Sequence, residues 1–223
     1  VQRFDPAKFP TSRADMRATL GIDEGAFVFG FVGRINRDKG IVELLTAFET
    51  ISKESVDAHL VLIGPMENQS EPEIMQVLDR AALNPKVHRL GFVDDLIATM
   101  MMFDVLCLPS YREGFNGAVL QAAALGIPTL GSDIYGINDN LVNGVTGMLV
   151  PAKDAAALIT VMRRYLGFQG IAKQQGRAAR AHVVENFDFK KFSLAVANEY
   201  KRLISMAPRR SLCGQVDASV KGE

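Results

Sequence analysis

What this 223-residue chain lacks narrows it before any motif is read. It has no excess charge, since Lys plus Arg and Asp plus Glu balance at 25 each. A protein that holds nucleic acid or an anionic membrane through a broad field needs an imbalance, so any anion site here must be local. Cysteine is scarce: Cys107 sits in the apolar run Val105-Leu106-Cys107-Leu108, and Cys213 lies in a polar tail. Two such residues make neither a disulfide framework nor a metal site, and they point to a reducing cytoplasm. The three histidines, His59, His88 and His182, lack metal-ligand spacing and read as strand-start or surface residues. No apolar run is long enough to span a bilayer and the opening residues show no signal-peptide pattern, so any membrane contact is expected to be peripheral.

What is present is a chain that is 48% hydrophobic and 22% charged, enough for one ordinary domain with a substantial core. Short β-rich runs fall at 27–32, 59–63, 87–92, 105–108, 129–131 and 147–150. Helical patterns fall at 40–55, 72–83, 95–102, 116–125, 137–142, 155–166, 170–186 and 189–206, the fifth ending at Asn143-Gly144 as a C-cap. This alternation predicts an α/β fold: a doubly wound, Rossmann-like parallel sheet of about six strands with helices on both faces. Ligands in such folds bind outside the C-terminal ends of the strands. Residues 1–26 read as a lead-in from a missing N-terminal domain, 27–206 as the domain itself, and 207–223 as a disordered tail.

The strand exits carry the chemistry. The first is Gly33-Arg34-Ile35-Asn36-Arg37-Asp38-Lys39-Gly40, where a glycine admits a ligand to the backbone and three cations follow at a helix opening. It reads either as a diphosphate clamp or as a solvated basic turn, and it matches neither the P-loop nor the dinucleotide glycine spacing. The second exit, Ile63-Gly64-Pro65, is a tight turn out of the sheet. The third, Gly91-Phe92-Val93-Asp94-Asp95, offers backbone groups to a flat base and an acid to cap the next helix. The fourth is the most telling: a buried strand, the polar loop Ser110-Tyr111-Arg112-Glu113-Gly114-Phe115-Asn116-Gly117, and a nearly all-apolar helix. A helix mouth stabilises anions, so Glu113 reads either as a helix-start acid or as an acceptor for sugar hydroxyls beside a bound phosphate. The fifth, Ser132-Asp133-Ile134-Tyr135-Gly136, is a polar exit whose serine and aspartate suit capping.

Taken together, the run from Phe29 to Gly40, the run from Pro109 to Pro128 and the later run from Asp133 to Pro151 resemble the C-terminal, donor-binding domain of retaining glycosyltransferases of family 4, which have the GT-B fold. The wording is closest to bacterial enzymes that build capsular, O-antigen or lipid-linked glycans, and the resemblance covers roughly residues 27–205. It implies that Gly33, Arg34 and Lys39 hold the donor diphosphate and that Glu113, the first acid of an E-x7-E signature, is the catalytic candidate beside the donor sugar. It implies that the amides of Gly114, Phe115, Asn116 and Gly117 surround sugar and β-phosphate, that Gln121 takes the ribose hydroxyls, and that Gly91, Phe92 and Val93 cradle the base. The donor is expected to be a UDP-sugar first and a GDP-sugar second, the acceptor a glycan or lipid-linked glycan, with no cofactor and no metal required. Without the missing domain, the chain is expected to fold and to transfer little or no sugar. A sugar-nucleotide epimerase, a phosphorylase and a non-catalytic nucleotide-binding module are the alternatives.

Two positions depart from the pattern. Gln121 stands where the family has a second glutamate, and keeps the hydrogen-bonding capacity without the charge. The order Asn116-Gly117 replaces the usual Gly-Asn, so Asn116 is expected either to adopt a left-handed backbone or to cap the helix.

Overall fold

A computed structural model describes residue 4 and residues 12–54, 57–66, 71–187 and 189–206. The expected tail at 207–223, with Cys213, lies outside the described residues. The strands are β1 (Phe27–Val32), β2 (Ala58–Ile63), β3 (Val87–Gly91), β4 (Val105–Leu108), β5 (Thr129–Ser132) and β6 (Gly147–Val150). They form one sheet in the order β3-β2-β1-β4-β5-β6, and every neighbouring pair is parallel. The helices are α1 (Ser12–Thr19), α2 (Ile41–Lys53), α3 (Pro72–Ala82), α4 (Leu96–Met100), α5 (Gly117–Ala124), α6 (Ala155–Gly167), α7 (Gln169–Asn186) and α8 (Phe189–Met206). The expected doubly wound α/β fold is the one observed.

Burial explains the arrangement. β4 is buried at all four positions and β1 at five of six, as happens when helices cover both faces of a sheet. Helix α2 turns Leu44, Leu45, Phe48 and Ile51 inward and packs against α3 and α6, while α5 packs against α7. Parallel strands need right-handed crossovers, so a chain that winds outward from β1 through β2 to β3 must return to β1's other side to place β4. Strand order therefore reverses between β1 and β4, where Phe29 pairs with Val105 and Gly30 with Leu106. The C-terminal ends of β1 and β4 are therefore the switch point at which such sheets bind ligands.

The other end of the sheet is fixed by α1. Arg17, 1% exposed, donates to the carbonyls of Glu24, Ala26 and Met102 and to Asp104 Oδ2 at 2.8 Å. Arg13 reaches Asp104 Oδ1 at 2.6 Å, and the Val28 N–H donates to Asp104 Oδ2. A buried guanidinium is tolerable only when its donors are paired this fully. The chain divides into two compact units at Phe187, and the described part of the second is the helix α8.

One expected element is absent. Residues 137–142 are not a helix but part of a chain of turns, with the Ile137 and Asn138 N–H groups both donating to the Ile134 carbonyl. Side chains compete for the backbone here: Asn140 Nδ2 donates to the Gly136 carbonyl, and the Val142 N–H donates to Thr146 Oγ1. Gly144, expected as a helix C-cap, instead turns the chain into β6 by donating to the Gly147 carbonyl at 2.8 Å. Ser132 and Asp133 accordingly cap no helix. Asp133 accepts from Asn138 Nδ2 at 3.2 Å, and Ser132 is buried.

Candidate functional site

At the exit of β1, Asn36 Oδ1 accepts from the Lys39 N–H at 3.1 Å and so caps a single 3-10 turn over Arg37–Lys39. Gly40 ends this turn with φ 67° and begins α2. A Cβ there would lie 2.0 Å from the Pro109 carbonyl oxygen, so only glycine lets the β1 exit rest on the β4 exit. Arg37 is drawn into an ion pair with Glu73 of α3, whereas the Lys39 side chain turns toward the β4 loop. Arg34 is exposed at the same strand exit.

The β4 loop is stitched to this segment along its length. The Tyr111 N–H donates to the Asp38 carbonyl at 2.8 Å, and Tyr111 Oη donates to Glu43 Oε1 at 2.6 Å. Burial, and then this bond to a carboxylate, push the Tyr111 phenol well above its ordinary pKa, so it stays a donor. Arg112 pairs with Asp38 at 2.5 Å, but the pair is exposed and adds little. The next residue, Glu113, accepts from Lys39 Nζ at 2.6 Å and 2.8 Å through its two oxygens. Their side chains are 18% and 8% exposed, so this pair is shielded from solvent. The two residues singled out for opposite ends of a sugar-diphosphate are thus in direct contact, although 74 positions separate them in sequence.

Asn116 resolves its two readings in favour of capping. Its backbone is extended at φ −86°, and its side chain accepts from the Ala118 and Val119 N–H groups at 2.9 Å and 3.3 Å. Gln121 lies one turn further along α5 and is half-buried. The β5 exit closes the far side: Gly136, at φ 84°, rests on the Gly114 carbonyl, where a Cβ would come within 1.8 Å. The other expected group stands apart. Gly91 ends β3 and Phe92 and Val93 follow it, three strand positions from β4 and so roughly 14 Å away at about 4.8 Å per strand. Phe92 is exposed and Val93 half-buried, and Asp95 rather than Asp94 caps α4 by accepting from the Ala98 N–H at 3.0 Å.

Sequence reasoning missed Asp38, Glu43 and Tyr111, which fix the two loops to each other, and missed the role of Gly136. A glycine among polar residues at a strand exit was the one available sign. Cys107 has no part in the chemistry: it is wholly buried, and burial drives its thiol far above the ordinary range. Among the described residues, no group of three or more His, Cys, Asp and Glu could hold a metal ion, and no helix is long and apolar enough to cross a membrane.

Sheet order, switch point and loop chemistry together define one Rossmann-like half of a GT-B glycosyltransferase fold. The pattern of the family described as Glycosyl transferases group 1 matches residues 26–167, and the chain belongs to that family. The capsular polysaccharide biosynthesis glycosyltransferase CapM of Staphylococcus aureus is 31% identical over 161 residues, which are 72% of this chain and 42% of CapM. Sucrose-phosphate synthase from Thermosynechococcus elongatus superposes with a TM-score of 0.76 at 27% identity, over 87% of this chain and 49% of that one. Anabaena HepE, solved in complex with UDP-glucose, superposes with a TM-score of 0.78 at 21% identity, over 89% of this chain and 55% of its own. The chain spans less than half the length of the curated relatives it matches.

Proposed function

We propose that this chain is the donor-binding half of a retaining glycosyltransferase that uses a nucleoside diphosphate sugar. The observation that carries this reading is the convergence of Lys39 and Glu113 at the β1/β4 switch point, beside the N-terminus of α5. Arg34, Lys39 and the Gly33 backbone bind the diphosphate. The amides of Gly114 to Gly117 at the helix mouth face its β-phosphate and the sugar, and Glu113 accepts from sugar hydroxyls. Gln121 takes the ribose, and the exit of β3, at Gly91 to Val93, takes the base. The separation between the β3 and β4 exits suits an extended nucleotide lying across the sheet edge.

The chemistry follows from the charges. Departure of the nucleoside diphosphate leaves negative charge on the leaving group and an oxocarbenium-like sugar. Fixed cations and helix N–H groups stabilise the former where it develops, so no metal is required in this scheme. The Glu113 carboxylate steadies the hydroxyls of the latter. HepE's complex with UDP-glucose supports UDP as the nucleotide, and CapM's name supports a capsular or related glycan as the acceptor, contacted by the other half of the enzyme.

Titration calorimetry of the chain with UDP and GDP tests this reading. Binding of UDP is expected, with GDP weaker. A folded chain that binds neither removes the donor site.

A further inference from the structure

In the donor site proposed above, Lys39 and Glu113 serve different parts of one ligand, yet here they bind each other. Both carboxylate oxygens lie within 2.8 Å of Lys39 Nζ, and neither side chain is well exposed to water. A shielded pair of this kind behaves unlike a surface ion pair, because taking away one partner leaves the other poorly solvated. The loops that carry them are held independently of the pair, by Tyr111 bonded to Asp38 and Glu43 and by Gly40 seated on Pro109. A ligand can therefore change the partners at the side-chain ends while the loops stay in place.

A diphosphate arriving at Lys39 competes with Glu113 for one ammonium, a compact point charge with three donors. The displaced carboxylate then sits beside a second anion. When the diphosphate carries a sugar, the sugar's hydroxyls donate to that carboxylate and replace what it lost. A bare nucleoside diphosphate offers no such donor, so Glu113 remains uncompensated. We propose that Glu113 is a specificity determinant between donor and spent nucleotide. It holds Lys39 in the empty site, yields it to a sugar-bearing diphosphate, and by reclaiming Lys39 disfavours the bare nucleotide left after transfer. This proposal rests on the donor-site reading and adds to it a role in product release.

Calorimetry with UDP, the spent nucleotide of that reading, tests it on four chains: wild type, Glu113→Gln, Lys39→Gln and the double variant. Glu113→Ala serves as a second version, since glutamine keeps an oxygen that could still accept from Lys39. Circular dichroism melts establish that each variant is folded. Removing the carboxylate should tighten UDP binding by about fivefold or more, and most of that gain should vanish when Lys39 is already glutamine, because contacting residues couple. An undiminished gain in the Lys39→Gln background would show simple repulsion between two anions and would overturn the exchange. So would unchanged or weakened UDP binding in both Glu113 variants, with the donor site itself left standing. A wild type that binds neither UDP nor GDP overturns the site and the exchange together.

Discussion

Arg34 and Lys39 share one loop but not one environment. Arg34 is exposed, while Lys39 is mostly buried and bonded to a carboxylate. Replacing either with alanine should weaken UDP binding by about 1.5–3 kcal/mol, the range for hydrogen bonds to charged groups. Lys39→Ala should fall at the lower end, because in the wild type the diphosphate must displace Glu113 to reach Lys39, and the variant has no such pair to break. Calorimetry at fixed ionic strength measures both, and affinities equal to wild type would remove their assignment to the diphosphate. These residues were legible in the sequence because their types and positions after strands already implied anion chemistry. Asp38, Glu43 and Tyr111 were not, since their meaning lies in bonds between segments, such as the Tyr111 to Glu43 bond across 68 positions. No local pattern encodes such a contact.

Among the elements, the strands were the most legible, because a parallel strand covered on both faces must be apolar along its length. Val105-Leu106-Cys107-Leu108 shows this directly. The turns at 137–142 were the least legible: Ile137 and Leu141 have helical spacing and are both buried, but the Asn138-Asp139-Asn140 run between them offers side-chain partners to the backbone and dissolves the helix. That irregular exit matters because it brings Gly136 onto Gly114. Gly136→Ala would force a Cβ against the Gly114 carbonyl in a backbone region unfavourable to alanine. Strain and overpacking together should cost about 2–4 kcal/mol of stability. Urea denaturation reads this loss, and UDP titration of the folded variant should show weaker binding as the β4 loop is displaced. A variant as stable as wild type would mean that the two loops do not depend on this contact.

Across the whole molecule, the sheet has a working edge, where the strands exit at the switch point, and a structural edge, where they begin. The structural edge contains a pair of groups that couples folding to pH. His59 of β2 and His88 of β3 stack at 5.2 Å between ring centroids, with Nδ1 of the first 2.9 Å from Nε2 of the second. One proton can sit between these nitrogens, and a second protonation sets two cations against each other. Burial is the main reason both histidines titrate below their ordinary range. For His59, Lys86 and Arg17 push the same way, and Asp57, 3.5 Å away, pushes back. A histidine whose folded pKa is depressed leaves stability intact above the unfolded value of about 6.5. Below it the unfolded chain takes up protons that the folded chain refuses, so stability falls by up to about 1.4 kcal/mol per pH unit for each ring. Urea denaturation at pH 7.5 and at pH 5.5 should therefore show a less stable protein at the lower pH. His88→Gln, which keeps a hydrogen-bonding group and removes one titrating ring, should lose less over the same interval. Parallel losses in the two proteins would place the acid sensitivity elsewhere in the fold.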